Sequence, residues 1–196
     1  MSIRARIKEV KHLRNKDLIC VLEDPKLPAN LASVIRNVSA LGVEKIYLIG
    51  GYPGIPKTFE RSREVKSLLG ASVGASKWTF IKHFETAEEC VQHLRKKLYY
   101  IAATSPHVKG KVNTNLYNGE FTQKRLAVWF GNESRGISDY AAEYTDMCVQ
   151  IPMGGIVESL NLGTASGIVL SYIREKRLNF MQEKSSERCC QKVQKK

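Results

Sequence analysis

No apolar run in this chain approaches the ~20 residues that a membrane-spanning helix needs. The first residues, Met1-Ser2-Ile3-Arg4-Ala5-Arg6, lack the apolar stretch of a signal peptide, so a cytoplasmic protein is expected. Five cysteines, an odd number, show neither metal-ligand spacing nor a disulfide framework. Four histidines are scattered at 12, 83, 93 and 107, with no His-x-x-x-His, and no metal site is expected. No Gly-x-Gly-x-x-Gly follows a strand-like run, which argues against a nicotinamide dehydrogenase. Gly131 and Gly136 have the frame of a phosphate-binding loop. However, Ile137-Ser138 stands where Lys-Ser or Lys-Thr is required, and Glu133 would repel phosphate. Neither a repeat nor a linker divides the 196 residues, a length that suits one domain with a real core.

What the chain has in excess is positive charge, and that charge is unevenly placed. Residues 1–16 hold six Lys/Arg and one Glu, and residues 174–196 hold eight and three, so each end carries +5 of the total +12. The remainder is nearly neutral. Basic ends of this kind usually meet a polyanion. The expected organisation is a basic extension over 1–16, one domain over 17–180 and a basic tail over 181–196.

Short apolar runs rich in β-branched residues alternate with amphipathic patterns. Strands are predicted at 18–22, 45–49, 99–103, 126–130 and 148–151. Helices are predicted at 28–41, 87–98, 138–145 and 159–180, with a short one near 62–69. Ser138 and Ser159 are expected to cap the helices they precede. Cys20 and Cys148 read as small core residues, and Cys90 as a helix position. The alternation argues an α/β fold with a mostly parallel sheet flanked by helices. In such sheets ligands bind beyond the carboxyl ends of the strands. That rule brings Asn30, Thr104-Ser105, Gly131-Asn132-Glu133 and Ile151-Pro152-Met153 to one edge.

Three stretches carry polar groups and glycines where apolar core would otherwise continue. In the first, Arg36 follows Asn30 by six residues, about 9 Å along a helix, and could lean back toward the helix mouth. The second, Gly131-Asn132-Glu133-Ser134-Arg135-Gly136, sets a carboxylate at a strand end between two glycines. The third runs Ile151-Pro152-Met153, then Glu158-Ser159-Leu160-Asn161, around a flexible Gly154-Gly155. Small residues at 163, 167 and 171 form an i, i+4 stripe expected to face another helix.

In this order and at these spacings, the three stretches resemble the motifs of the SpoU (TrmH) family of RNA ribose 2′-O-methyltransferases, over about residues 17–177. The resemblance implies a SPOUT-type α/β fold with a C-terminal trefoil knot, a homodimer, and methyl transfer from S-adenosylmethionine to a ribose 2′-hydroxyl. It implies cofactor contacts at Gly131, Ile151 and Leu160, largely through backbone, and Thr104 and Met153, at the same edge, are expected to join them. It marks Arg36 as the key catalytic residue, with Asn30, Glu133, Ser159 and Asn161 beside it. The physics suits Arg36 better as a phosphate clamp and alkoxide stabiliser than as a base, since a guanidinium with a pKa above ~12 seldom deprotonates. The short basic flanks, Arg4, Arg6, Lys8, Lys11 and Arg14 before and Arg174, Lys176 and Arg177 after, look like those of the family's tRNA enzymes. They favour tRNA guanosine 18 over rRNA, with Lys57, Arg61 and Arg63 as further RNA contacts. The competing reading is an RNA-binding protein of the same fold without catalysis.

Overall fold

The computed structural model describes residues 3–50, 70, 72–104 and 113–193. Seven strands form one parallel sheet. They are β1 (Asn15–Glu23), β2 (Val43–Ile49), β3 (Phe80–Phe84), β4 (Tyr100–Thr104), β5 (Asn113–Asn115), β6 (Leu126–Phe130) and β7 (Met147–Gln150). Their order across the sheet is β3-β2-β1-β6-β4-β7-β5. Chain order therefore runs outward from β1 in one direction, while β6 inserts between β1 and β4.

Every central strand is buried on both faces, so it reads as an unbroken apolar run. Leu18, Cys20, Leu22, Val128 and Phe130 pack with α2 (Pro28–Ala40) and α5 (Leu162–Val193) on one face. Ile19, Val21, Ala127 and Trp129 pack with α3 (Ala87–Lys96) and α4 (Asp139–Glu143) on the other. The remaining helix, α1 (Ile3–Val10), precedes a 3-10 turn over Lys11–Leu13. Cys20, Cys90 and Cys148 are buried as expected, and burial pushes the Cys20 and Cys90 thiols up in pKa, away from reactivity.

The helix ends follow capping chemistry. Pro28 opens α2 where a missing N–H costs nothing. Thr86 and Ser138 accept the Glu89 and Ala141 amides at the starts of α3 and α4. The expected Ser159 cap is corrected: α5 begins at Leu162, and Asn161 Oδ1 accepts the Gly163 and Thr164 amides at 2.8 and 3.4 Å. Residues 151–160 run outside regular structure before it. The glycine stripe faces α2 at two of its three positions. A Cβ on Gly163 would lie 2.8 Å from Ser33 Cβ, and one on Gly167 would lie 3.3 Å from Asn37 Nδ2. Ser171 is exposed. The last helix, expected to end at 180, continues to Val193. The strands β3 and β5 lie outside every predicted run. The helix expected near 62–69 falls outside the described residues, as do Ser105, Lys57, Arg61 and Arg63.

Candidate active site

The loops after β1, β6 and β7 meet at the carboxyl edge of the sheet around a cavity of about 550 Å³. The turn after β6 is built first. Asn132 and Gly136 exchange backbone hydrogen bonds of 2.8 and 2.9 Å, and Asn132 Oδ1 accepts the Ser134 and Arg135 amides. Gly136 sits at φ +70°, and a Cβ on Gly131 would collide with the backbone of Gly136 and Ile137. The loop after β1 latches onto this turn. Asn132 Nδ2 donates to Asp24 O at 2.7 Å, and Arg135 pairs with Asp24 at 2.9 Å. Behind both, the buried Glu23 carboxylate accepts Trp129 Nε1 at 2.8 Å and the Ser138 amide at 3.2 Å.

A chain of hydrogen bonds then ties all three loops together. Glu133 Oε2 accepts the Lys26 amide at 3.0 Å, and Glu133 Oε1 accepts Asn30 Nδ2 at 2.6 Å. Asn30 Oδ1 in turn accepts Asn161 Nδ2 at 2.8 Å, and Asn161 caps α5 with its own oxygen. Asn30 is buried and both its polar atoms are satisfied. Desolvation would raise the Glu133 pKa. The hydrogen bonds from Asn30 and the loop amides outweigh it and hold the carboxyl below its ordinary value.

Thr104, Gly131, Ile151, Met153 and Leu160 all line the cavity, together with Asn30, Glu133, Ser159 and Asn161. Arg36 does not line it. It is exposed two turns along α2 and has no hydrogen-bond partner among the described residues. Six residues turn an α-helix through about 240° beyond one full circle, so Asn30 and Arg36 point apart. The Asn30 side chain is committed to Glu133 and Asn161 and makes no bond to Arg36.

The basic flanks divide. Arg6 pairs with Glu9 at 3.0 Å, Lys8 and Lys11 are exposed, and the Arg4 side chain lies outside the described residues. Arg14 is half-buried and reaches Trp78 O at 3.5 Å. Lys176 is exposed beside the Tyr172 ring. Arg174 is half-buried and 3.8 Å from Glu175. Arg177 is overturned as an RNA contact: it is 2% exposed, and its guanidinium donates to the carbonyls of Phe121, Gln123 and Lys124.

Sequence reasoning gave no role to Leu27, Asn132, Val149, Gln150, Glu158 or Ala165, which also line the cavity. Asn132 left a signal, since Asn beside Gly and two before Ser is the pattern of an Asx turn. The lining mixes apolar side chains with a few fixed polar groups and two glycine-bared backbone stretches, which is the make-up of a small-molecule site. It fits an amphiphilic cofactor such as S-adenosylmethionine. Among the described residues no group of His, Cys, Asp and Glu could hold a metal ion, and no helix is long and apolar enough to cross a membrane.

Residues 17–171 match the model of the SpoU rRNA Methylase family. The chain is similar to the tRNA (guanosine(18)-2'-O)-methyltransferase of Thermus thermophilus, 30% identical over 175 residues, 89% of this chain and 83% of that protein. Its fold resembles the Aquifex aeolicus TrmH/SpoU tRNA modifying enzyme, with TM-score 0.73, 27% identity, and 90% and 84% of the two chains covered. It also resembles the S-adenosylmethionine-bound rRNA methyltransferase of Sinorhizobium meliloti, with TM-score 0.69, 25% identity, and 81% and 56% covered.

Proposed function

Because this chain belongs to the SpoU rRNA Methylase family, we propose that it transfers a methyl group to a ribose 2′-hydroxyl of RNA. The observation that carries the reading is the hydrogen-bond chain Glu133–Asn30–Asn161, which joins three distant loops at the rim of one cavity. Bound S-adenosylmethionine supplies a methyl group already activated on sulfonium. Thr104, Gly131, Ile151, Met153 and Leu160 would hold the cofactor. Glu133, Asn30, Ser159 and Asn161 would shape the rim where the ribose enters and keep bulk water from it. The nucleophile is an alcohol, so alignment and help with proton loss are the tasks left to the protein.

Arg36 belongs to a different part of the same proposal. From its exposed place on α2 it would grip the phosphate flanking the target ribose and stabilise the developing alkoxide, with phosphate or water taking the proton. On this account Arg36→Lys keeps appreciable activity with a shifted pH–rate profile, whereas Arg36→Ala is nearly dead. Equal inactivity of the two at every pH would sink it.

The substrate proposed is tRNA, at guanosine 18, supported by the Thermus thermophilus relative and by the short basic flanks. Such work belongs in the cytoplasm. The fold reading extends to a C-terminal trefoil knot, supported by the insertion of β6 between β1 and β4 and of β7 between β4 and β5. A homodimer is supported by exposed Ile156 and Val157 beside the cavity. Incubation with methyl-labelled cofactor and separated tRNA and rRNA, followed by mapping of the methylated ribose, tests the function. Label in tRNA at guanosine 18 is expected. Label in rRNA alone would move the substrate, and no label in either would leave a binding protein.

A further inference from the structure

The face of the sheet covered by α3 carries a second concentration of charge that the methyl-transfer site does not use. Lys82 Nζ lies 3.3 and 3.4 Å from the two ring nitrogens of His93 and 4.7 Å from the centre of the Phe84 ring. Tyr47 OH lies 3.4 Å from His93 Nε2. Burial holds the His93 pKa below its ordinary value, and four lysines act in the same direction: Lys82, Lys97, Lys96 and Lys45. Lys82 touches the ring, Lys96 and Lys97 follow His93 by one helical turn, and Lys45 stands two residues before Tyr47 on the same face of β2. None of them forms an ion pair with the described residues. Phe80, 41% exposed, stands beside Lys45 in the β2–β3 register. Lys96 and Lys97 are exposed at the end of α3.

We infer that this surface is a second RNA contact, gripping phosphates with Lys45, Lys82, Lys96 and Lys97. Like charges gathered around a neutral ring repel one another, and a polyanion relieves that repulsion. Three strand spacings separate β3 from β6, which is about 14 Å, and the patch lies across the sheet from α2. Only a folded RNA reaching well beyond its target ribose can touch both. The inference rests on the RNA-methylation reading and adds a size requirement to it.

The test compares full-length tRNA with a short hairpin carrying the target nucleotide. The variants are K96Q/K97Q, both at exposed positions, and the same pair combined with K45Q. Full-length tRNA should bind about tenfold more weakly to the larger variant. The slope of log affinity against log salt should fall by roughly 0.7–0.9 for each phosphate no longer gripped. Cofactor affinity and turnover of the hairpin should not change. Unchanged tRNA affinity and slope would overturn the inference. So would an equal loss for tRNA and hairpin, which would trace the effect to the methyl-transfer site. If the parent protein binds and methylates no RNA, the functional reading fails, and this inference fails with it.

Discussion

Glu133 shows how one residue can be both exposed and committed. Its carboxylate accepts from Asn30 and from the Lys26 amide, and these bonds hold its pKa down despite desolvation. A carboxyl whose folded pKa is depressed stabilises the fold above its unfolded pKa, and that contribution disappears as pH falls through the folded value. Glu133→Gln is therefore expected to be slightly less stable than the parent at pH 7, by under about 1 kcal/mol, because the carboxylate is exposed and solvent screens it. The difference should vanish in acid below the ordinary carboxylate range. Melting temperatures of the two proteins from pH 7 down to pH 3 check this, and a constant gap across that range would contradict it. Arg177 is the reverse case, a cation the sequence offers to RNA and the fold keeps for itself. Its guanidinium binds three carbonyls of the 121–124 segment. Arg177→Ala should cost roughly 3 kcal/mol, because buried carbonyls are left without their donors. It should leave the salt dependence of RNA binding unchanged. The sequence held a clue here: Arg177 follows Val169, Leu170 and Ile173 on the buried stripe of α5. Charge alone hid it, because composition does not reveal which face a residue shares.

Among the elements, the packing of α2 on α5 depends on absent side chains. At Gly163 a Cβ would press on Ser33 Cβ at 2.8 Å, close to backbone that cannot retreat. At Gly167 it would meet only the amide end of Asn37 at 3.3 Å. Ala gains up to ~1 kcal/mol of helix propensity over Gly at an interior position. That gain should decide Gly167→Ala, which is expected to be neutral or slightly stabilising. Gly163→Ala lies in the first turn, where propensity counts for less, and should lose about 1–3 kcal/mol from overpacking. Denaturant unfolding of the pair measures the contrast, and equal effects would refute the packing argument. The stripe was legible because i, i+4 spacing is a property of the helix itself. The edge strands were not. β5 is Asn-Thr-Asn with no apolar residue, and β3 interrupts its pattern with Lys82 and His83. Both are strands by virtue of the neighbour they pair with. The cap of α5 was missed for a related reason: Ser159 and Asn161 are both good caps, and only the bond from Asn161 to Asn30 decides between them.

On the scale of the whole molecule, stability and RNA affinity are built from different parts. Arg177 is the last buried residue of α5 among those whose side chains are described, yet the helix continues to Val193. Residues 182–196 hold five Lys/Arg and two Glu, a surplus of three charges. Helix beyond the last packed residue contributes little to folding, because helical stability in proteins comes mainly from packing. The same segment carries positive charge that condensed RNA counterions make way for. Removing residues 182–196 should then leave the melting temperature within about 2 °C of the parent, a shift that corresponds to under ~1 kcal/mol for a chain this long. Cofactor affinity should stay the same, since every residue lining the cavity lies before this segment. Affinity for tRNA should fall, and its salt slope should become shallower by roughly 0.7–0.9 for each phosphate the segment had neutralised. A shortened chain that melts many degrees lower would mean the end of α5 packs on something, such as a second copy. A shortened chain that binds tRNA as the parent does, with the same slope, would confine the RNA surface to the sheet and its two faces.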